Sequence, residues 1–190
     1  MSKCMEIRWH GRAGQGVVTA GELLAEAALE EGKYFQAFPD YGPERMGAPV
    51  KSYTRISDEP IEIHYQILTP EVVVVVNPNL LGVVAVTEGL AKDGILIVNT
   101  PESPGDIRKK LGFEGGRVFT VDATAIAMEA LGRDIPSTMM LGVVAKATGI
   151  VKLDSLKHLV REKLGAKLRS EIVEANVTSL QRVYDEVKEG

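Results

Sequence analysis

Two runs near the middle of the chain leave little freedom in how it can fold: "VVVVV", Val72 to Val76, and "ILIV", Ile95 to Val98. β-Branched side chains are restricted at χ1 in a helix and pack well on a pleated surface. A strand with one wet face alternates, and these runs do not. Continuous apolar runs suit strands covered on both faces, as in the parallel interior of an α/β sheet. The residues between them, Leu80 to Leu90, are expected as a helical connection, giving a βαβ unit with a right-handed crossover. At 190 residues the chain is long enough for one domain with a sizeable core, and 1–190 is taken as a single domain.

The flanking segments fit that plan. "MEIRW" alternates, with Met5, Ile7 and Trp9 on one face and Glu6 and Arg8 on the other. Val17 to Glu31 has a helical apolar stripe ending at Gly32, and Gly21 within it marks close packing on the sheet. "KYFQAF" is expected as a second strand. "PDYGPERMGAP" holds three prolines and two glycines in eleven residues, which makes it a loop. "VKSYTRIS" and "IEIHYQI" alternate on either side of "DEP" and are expected to form an antiparallel hairpin, with Lys51, Arg55, Glu62 and His64 on a wet face. "RVFTVDA" is a further strand, followed by helices over "TAIAMEALG", "STMMLGVVAKATG", "LDSLKHLVREKLG" and the C-terminal segment. Asn176 lies on the apolar stripe of that last helix and is expected as a satisfied core polar group. The fold class is α/β: a three-layer, Rossmann-like domain with a mixed, mostly parallel sheet and an antiparallel hairpin.

Composition removes several function classes. A net charge of −4 gives no basic footprint for nucleic acid. One cysteine, Cys4, allows no internal disulfide and no cysteine cluster for zinc or iron–sulfur. The start lacks the apolar core of a signal peptide, and no apolar run approaches the ~20 residues of a membrane span, so the expected location is cytoplasmic. The three histidines are scattered without metal-ligand spacing, and no metal site is expected. No serine, cysteine or carboxylate pair stands in a nucleophilic or acid–base context.

What remains is "HGRAGQG", His10 to Gly16, between a strand and a helix. A glycine-rich turn there presents backbone N–H groups at the positive end of a helix, which favours phosphate or carboxylate. The spacing Gly11, Gly14, Gly16 is neither the dinucleotide G-x-G-x-x-G nor a P-loop. Asp40 stands after the second strand, where a ribose-binding acid would sit, though 24 residues beyond Gly16. Arg12 can pair with an anion, and Gln15 offers donor and acceptor. Two readings are open: an anion-binding loop, or glycines that let helix and strand pack closely beside a solvated Arg12. Glu44 and Arg45 lie in the proline-stiffened loop, either as surface charges or as part of a site or interface. Asn77, Asn99 with Thr100, and Asp122 each follow a β run at the carboxyl edge where α/β folds bind ligands. Each alone suits a turn or N-cap; together they mark that edge.

The ordered series "HGRAGQGVVTAGELLAEAA", "AFPDYGPERMGAPV", "GILIVNT", "VDATAIA" and "IPSTMMLGVVAKATG" resembles the gamma subunit of archaeal and bacterial 2-oxoacid:ferredoxin oxidoreductases, most closely the pyruvate synthase type. The resemblance runs from Met5 to the final helix. It implies oxidative decarboxylation of a 2-oxoacid with coenzyme A to acyl-CoA, carbon dioxide and reduced ferredoxin, or the reverse. It implies thiamine diphosphate, Mg and iron–sulfur clusters on partner subunits, namely thiamine-binding catalytic subunits and a ferredoxin-like subunit, with no cofactor resident on this chain. The family motif G-x-G-G-Q-G falls on Gly11, Ala13, Gly14, Gln15 and Gly16, with alanine for its second glycine. G-x-E-R-x-G-x-P is intact as Gly42, Glu44, Arg45, Gly47 and Pro49. Pro-Asn-Thr becomes Pro136, Ser137, Thr138. Together with Arg12 from the loop and Asn99 and Thr100 from the strand end, these motifs give the expected cofactor-facing set Gly11, Arg12, Gly14, Gln15, Gly16, Glu44, Arg45, Asn99, Thr100, Ser137 and Thr138, with the glycine loop and the 41–49 loop on one sheet edge contributing to the coenzyme A approach. The alternatives are a purely structural subunit and an independent Rossmann-like nucleotide-binding protein.

Overall fold

The valine run lies at the centre of a single mixed sheet. A computed structural model describes residues 4–40 and 47–190. Among these, the strands are β1 (Met5–Arg12), β2 (Tyr34–Asp40), β3 (Pro49–Ser57), β4 (Val72–Val75), β5 (Ile95–Asn99), β6 (Arg117–Val121) and the short β7 (Lys188–Glu189). Their order across the sheet is β2-β3-β1-β4-β5-β6-β7. The centre, β1-β4-β5-β6, is parallel, while β2-β3-β1 and the β6–β7 edge are antiparallel. The helices are α1 (Val17–Glu30), α2 (Pro104–Leu111), α3 (Ala123–Leu131), α4 (Ser137–Thr148), α5 (Leu153–Gly165) and α6 (Ser170–Glu186).

Both faces of the valine strand are dry, as its composition requires. Val72, Val74 and Val76 join Ile97, Phe119 and Val121 in the larger core, which is closed by α1, α3, α4, α5 and α6. Val73, Val75, Leu96, Val98 and Val118 face a smaller core built from Leu80, Leu81, Val86 and Ile107. Gly21 is where α1 touches the sheet: a Cβ there would lie 2.9 Å from Thr54 Oγ1 and 3.5 Å from Trp9 Nε1. Trp9 Nε1 donates to Thr54 Oγ1 at 3.1 Å within the sheet, and Thr54 Oγ1 donates to Gly21 O at 3.4 Å, so the contact between helix and sheet is polar as well as tight. Asn176 is buried, and its Nδ2 donates to Ile172 O at 2.8 Å.

Three local expectations are corrected. The connection between β4 and β5 is no α-helix: a 3-10 turn at Pro78–Leu80 gives way to irregular turns. Gly82 and Gly89 take left-handed φ of 81° and 70°, which a helix cannot accommodate. The carbonyls of Val86 and Glu88, which a helix would use internally, accept instead from the Arg8 guanidinium. Secondly, residues 61–67 form no strand. β3 already has β1 on one edge and β2 on the other, so no edge is left for a hairpin partner, and the antiparallel hairpin is β2–β3. Thirdly, Arg55 is not on a wet face but fully buried. Residues 58–71 pass across it. Its Nε donates to Glu6 Oε1 (2.7 Å), Nη1 to Gln36 Oε1 (3.1 Å) and Nη2 to Tyr65 O (2.7 Å). The guanidinium also lies 5.4 Å and 5.3 Å from the ring centres of Phe38 and Tyr65.

Two elements escape the periodicity argument. α2 has a Ser103 N-cap, Pro104 in its first turn and Gly112 at φ 60° after its end, all visible as helix punctuation in the sequence. β7 has only two residues, too few for any pattern.

Removing the Arg55 side chain leaves a carboxylate and a carbonyl without their partner in a largely dry layer. Arg55→Leu is expected to destabilise the chain by about 3 kcal/mol. Urea unfolding followed by circular dichroism measures this; a loss below about 1 kcal/mol, the range of a surface ion pair, would contradict it.

Candidate functional site

The site is built where β1 leaves the sheet. Gly11 and Arg12 are still in the ladder, opposite Val50 and Pro49. Gly11 is small by necessity, because a Cβ would run into Val17. The chain then turns through Ala13, Gly14, Gln15 and Gly16 into α1. Gln15 organises the turn: its Oε1 accepts from Arg12 N at 2.9 Å and from Asn77 Nδ2 at 3.1 Å, and its own N donates to Arg12 O at 3.0 Å. Gly16 is the N-cap residue at φ 73°, and among the described residues no side chain caps α1. The first-turn N–H groups of α1, at the helix's positive end, therefore have no side-chain cap among the described residues.

The two loops singled out in the sequence meet here. Ala13 N donates to Ala48 O at 2.9 Å, and Arg12 Nη1 donates to Gly47 O at 2.8 Å. Glu44 and Arg45 lie outside the described residues. Ser137, buried at the start of α4, packs against the turn: a Cβ on Gly16 would be 2.7 Å from its Oγ. A cavity of about 380 Å³ opens beside the turn, lined by Arg12, Gly14, Gly16, Val18 and Thr19 and by Lys51 from β3.

The other strand ends do different work. Asn99 Nδ2 donates to Val76 O (2.8 Å) and Thr124 Oγ1 (2.9 Å), and its Oδ1 accepts from Thr124 N (3.2 Å). Thr100 Oγ1 accepts from Glu102 N at 3.2 Å, and Asp122 caps α3 through Ala125 N at 2.8 Å. These groups close turns and caps around β5 and β6. Thr138 lines a separate groove with Leu131, Ile135, Leu168 and Ile172. Asp40 does not serve as a ribose-binding acid. β2 is separated from β1 by β3, and the Asp40 oxygens accept from Tyr53 Oη (3.0 Å) and Gln66 Nε2 (2.9 Å).

The face of β1 beneath the turn is polar and buried. Arg8 Nε donates to His10 Nε2 at 3.0 Å. Burial, with the nearby charges of Arg8 and Lys51, pushes His10 down to about 3, so the ring is neutral. Burial and the Asp40 carboxylate push Tyr53 up to about 12. Burial, with Glu6, raises the Cys4 thiol, making it a poor thiolate. Sequence reasoning missed Lys51 as a lining residue, because only the β1–β3 register, which sets it opposite His10, brings it to this edge. Among the described residues, no cluster of three or more His, Cys, Asp or Glu could hold a metal, and no helix is long and apolar enough to cross a membrane.

Residues 6–186 match the sequence profile of the family described as "Pyruvate ferredoxin/flavodoxin oxidoreductase". The chain belongs to this family. Within the pyruvate ferredoxin/flavodoxin oxidoreductase family it is 50% identical over 186 residues to pyruvate synthase subunit PorC of Thermotoga maritima, covering 98% of this chain and 96% of that one. It is 54% identical over 164 residues to the "Pyruvate/ketoisovalerate oxidoreductases common subunit gamma" of Thermococcus kodakarensis, covering 86% and 89%. The crystal structure of pyruvate oxidoreductase subunit PORC from Thermotoga maritima superposes with a TM-score of 0.88 at 47% identity, over 99% of both chains. The 2-oxoglutarate:ferredoxin oxidoreductase of Magnetococcus marinus shares the fold alone, with TM-score 0.78 and 19% identity. It is matched over 96% of this chain but only 30% of that one.

Two outcomes follow from this geometry. His10 takes a proton near 6.5 when unfolded and near 3 when folded, so its contribution to stability is complete above pH 6.5 and falls as pH drops towards 3. About 2 kcal/mol is expected to be lost between neutral pH and about pH 5, and His10→Gln, whose amide oxygen can still accept from Arg8, should lose correspondingly less. Urea unfolding of both chains across that range decides it. Gly16→Ala is expected to cost about 1–2 kcal/mol for the left-handed backbone, plus the clash with Ser137. Adding Ser137→Ala should recover the clash and leave the backbone cost, read as a partial rise in Tm; equal Tm values for the single and double variants would contradict the contact.

Proposed function

We propose that this chain is the gamma subunit of a cytoplasmic 2-oxoacid:ferredoxin oxidoreductase that uses pyruvate, and that its glycine loop forms part of the coenzyme A approach. The observation that carries the reading is end-to-end similarity to pyruvate synthase subunits, in a chain whose one conspicuous feature is an uncapped helix start flanked by Arg12. The loop has hydrogen-bond donors and a cation but no nucleophile. That equips it to hold and orient an anionic substrate. With one cysteine the chain cannot furnish the thiolates of an iron–sulfur cluster, so electron transfer belongs to a ferredoxin-like partner. Thiamine diphosphate and its Mg belong to the catalytic partners, where the carbanion chemistry takes place.

Arg12 has two tasks in this reading: one N–H holds the Gly47 carbonyl, and the remaining fork meets phosphate oxygens of coenzyme A. Selection of the 2-oxoacid lies on the catalytic subunits. Relatives at 47–54% identity named as a common subunit of pyruvate and ketoisovalerate oxidoreductases support that division.

Anaerobic purification of the tagged chain from its host should bring down larger partners containing iron and thiamine, and the eluate should reduce a dye with pyruvate only when coenzyme A is present. A lone chain under gentle conditions would overturn the subunit reading. In the assembled complex, Arg12→Ala should raise the KM for coenzyme A about tenfold, as expected for loss of one charge-assisted pair. Normal assembly with an unchanged KM would remove coenzyme A from the loop.

A further inference from the structure

The sheet face away from α1 is covered by irregular chain, and that cover differs in charge from the rest of the molecule. Residues 58–71 cross Arg55 and residues 81–90 cross Arg8. The two stretches join: Ala91 N donates to Pro70 O at 3.0 Å, and a Cβ on Gly89 would run into Leu68 O. Residues 56–91 hold five carboxylates, Asp58, Glu59, Glu62, Glu71 and Glu88, with one histidine and no lysine or arginine. The other 154 residues hold 21 carboxylates and 22 lysines and arginines, so the net charge of −4 comes wholly from this layer. Asp58, Glu59, Glu62 and Glu88 are exposed. The cations beneath them, Arg8 and Arg55, are buried, and Glu6 pairs with Arg55. Among the described residues one ion pair reaches the layer, Lys33 with Asp58 at 3.8 Å.

Large apolar groups stand in the same layer. Leu68 is 69% exposed and Tyr65 64%. Tyr65 is nonetheless fixed: its carbonyl accepts from Arg55 Nη2 at 2.7 Å, and its ring centre lies 5.3 Å from that guanidinium. An exposed aromatic already held by its own chain loses little freedom when it is covered, which suits it to anchor a protein contact. We infer that the layer around Tyr65 and Leu68 is a docking surface for a partner subunit whose matching face is apolar at its centre and rimmed with lysine and arginine. Opposite charge at the rim steers such a partner, and the two side chains fill its centre. A second copy meeting through the same face would set five carboxylates against five, which opposes a self-complementary dimer. The inference rests on the proposed function for the existence of a partner, and not on the coenzyme A role of the glycine turn.

The complex purified through the tagged chain, beside the full chain alone, supplies the test. Carbodiimide coupling of a small amine to carboxylates, read by peptide mass spectrometry, should label Glu59, Glu62 and Glu88 about tenfold less in the complex. Equal labelling overturns the inference. Leu68→Ser should speed release of partners from the immobilised chain about tenfold. Glu59→Lys with Glu62→Lys should lower the partner recovered about tenfold at low salt, with a smaller effect as salt rises. Glu162→Lys with Glu171→Lys makes the same charge change on α5 and α6, across the sheet, and should leave recovery unchanged. Normal recovery and release with the layer variants, or equal loss with the α5–α6 pair, also overturns the inference while the subunit reading stands. An unaltered chain that purifies alone removes the subunit reading, and the inference with it.

Discussion

A strand with both faces apolar must be covered twice, and the way this chain covers Val72–Val76 shapes everything around it. Five helices close one face. Among the described residues, the other receives α2 and an irregular crossover, which is held in place by a buried arginine rather than by helical hydrogen bonds. Arg8 supplies from β1 the donors that a regular helix would have drawn from its own backbone. The result is a thick layer and a thin one. The glycine turn lies where β1, shared by both, runs out of sheet.

Much of this arrangement was legible in the residues. Continuous β-branched runs marked the parallel centre, helical stripes marked α1 and α3 to α6, and Gly21 marked the point where α1 presses on Thr54 and Trp9. The misreadings share one cause. Alternation in "IEIHYQI" is a local property, but pairing is decided by which edges are free, and β3 had none. Leu80 to Leu90 carried enough leucine and valine for a helix, and nothing local revealed that a guanidinium from β1, some eighty positions away, would claim its carbonyls. Arg55 looked like a surface charge because burial of a cation depends on partners from three separate segments.

The candidate site divides along the same line. Glycine spacing pointed to the turn, and the turn does present an uncapped helix start with Arg12 beside it. The contact between Gly16 and Ser137 spans two helices far apart in sequence, and Lys51 reaches the cavity only through strand register. Asn99, Thr100 and Asp122 were visible as polar groups after strands, but in the fold they satisfy neighbouring backbone and side-chain groups. Short polar residues after a strand serve that purpose in most α/β folds, and spacing alone cannot separate the two uses.

The Gln15 side-chain carbonyl fixes the shape of the turn. By accepting from Arg12 N on one side and Asn77 Nδ2 on the other, it ties the turn to two strands within a single chain. The backbone that would meet a ligand is thus arranged in advance. Binding there forgoes little conformational entropy, so more of each contact's energy is available as affinity. The turn is set within the chain itself, where a flexible loop would have to be moulded by whatever met it.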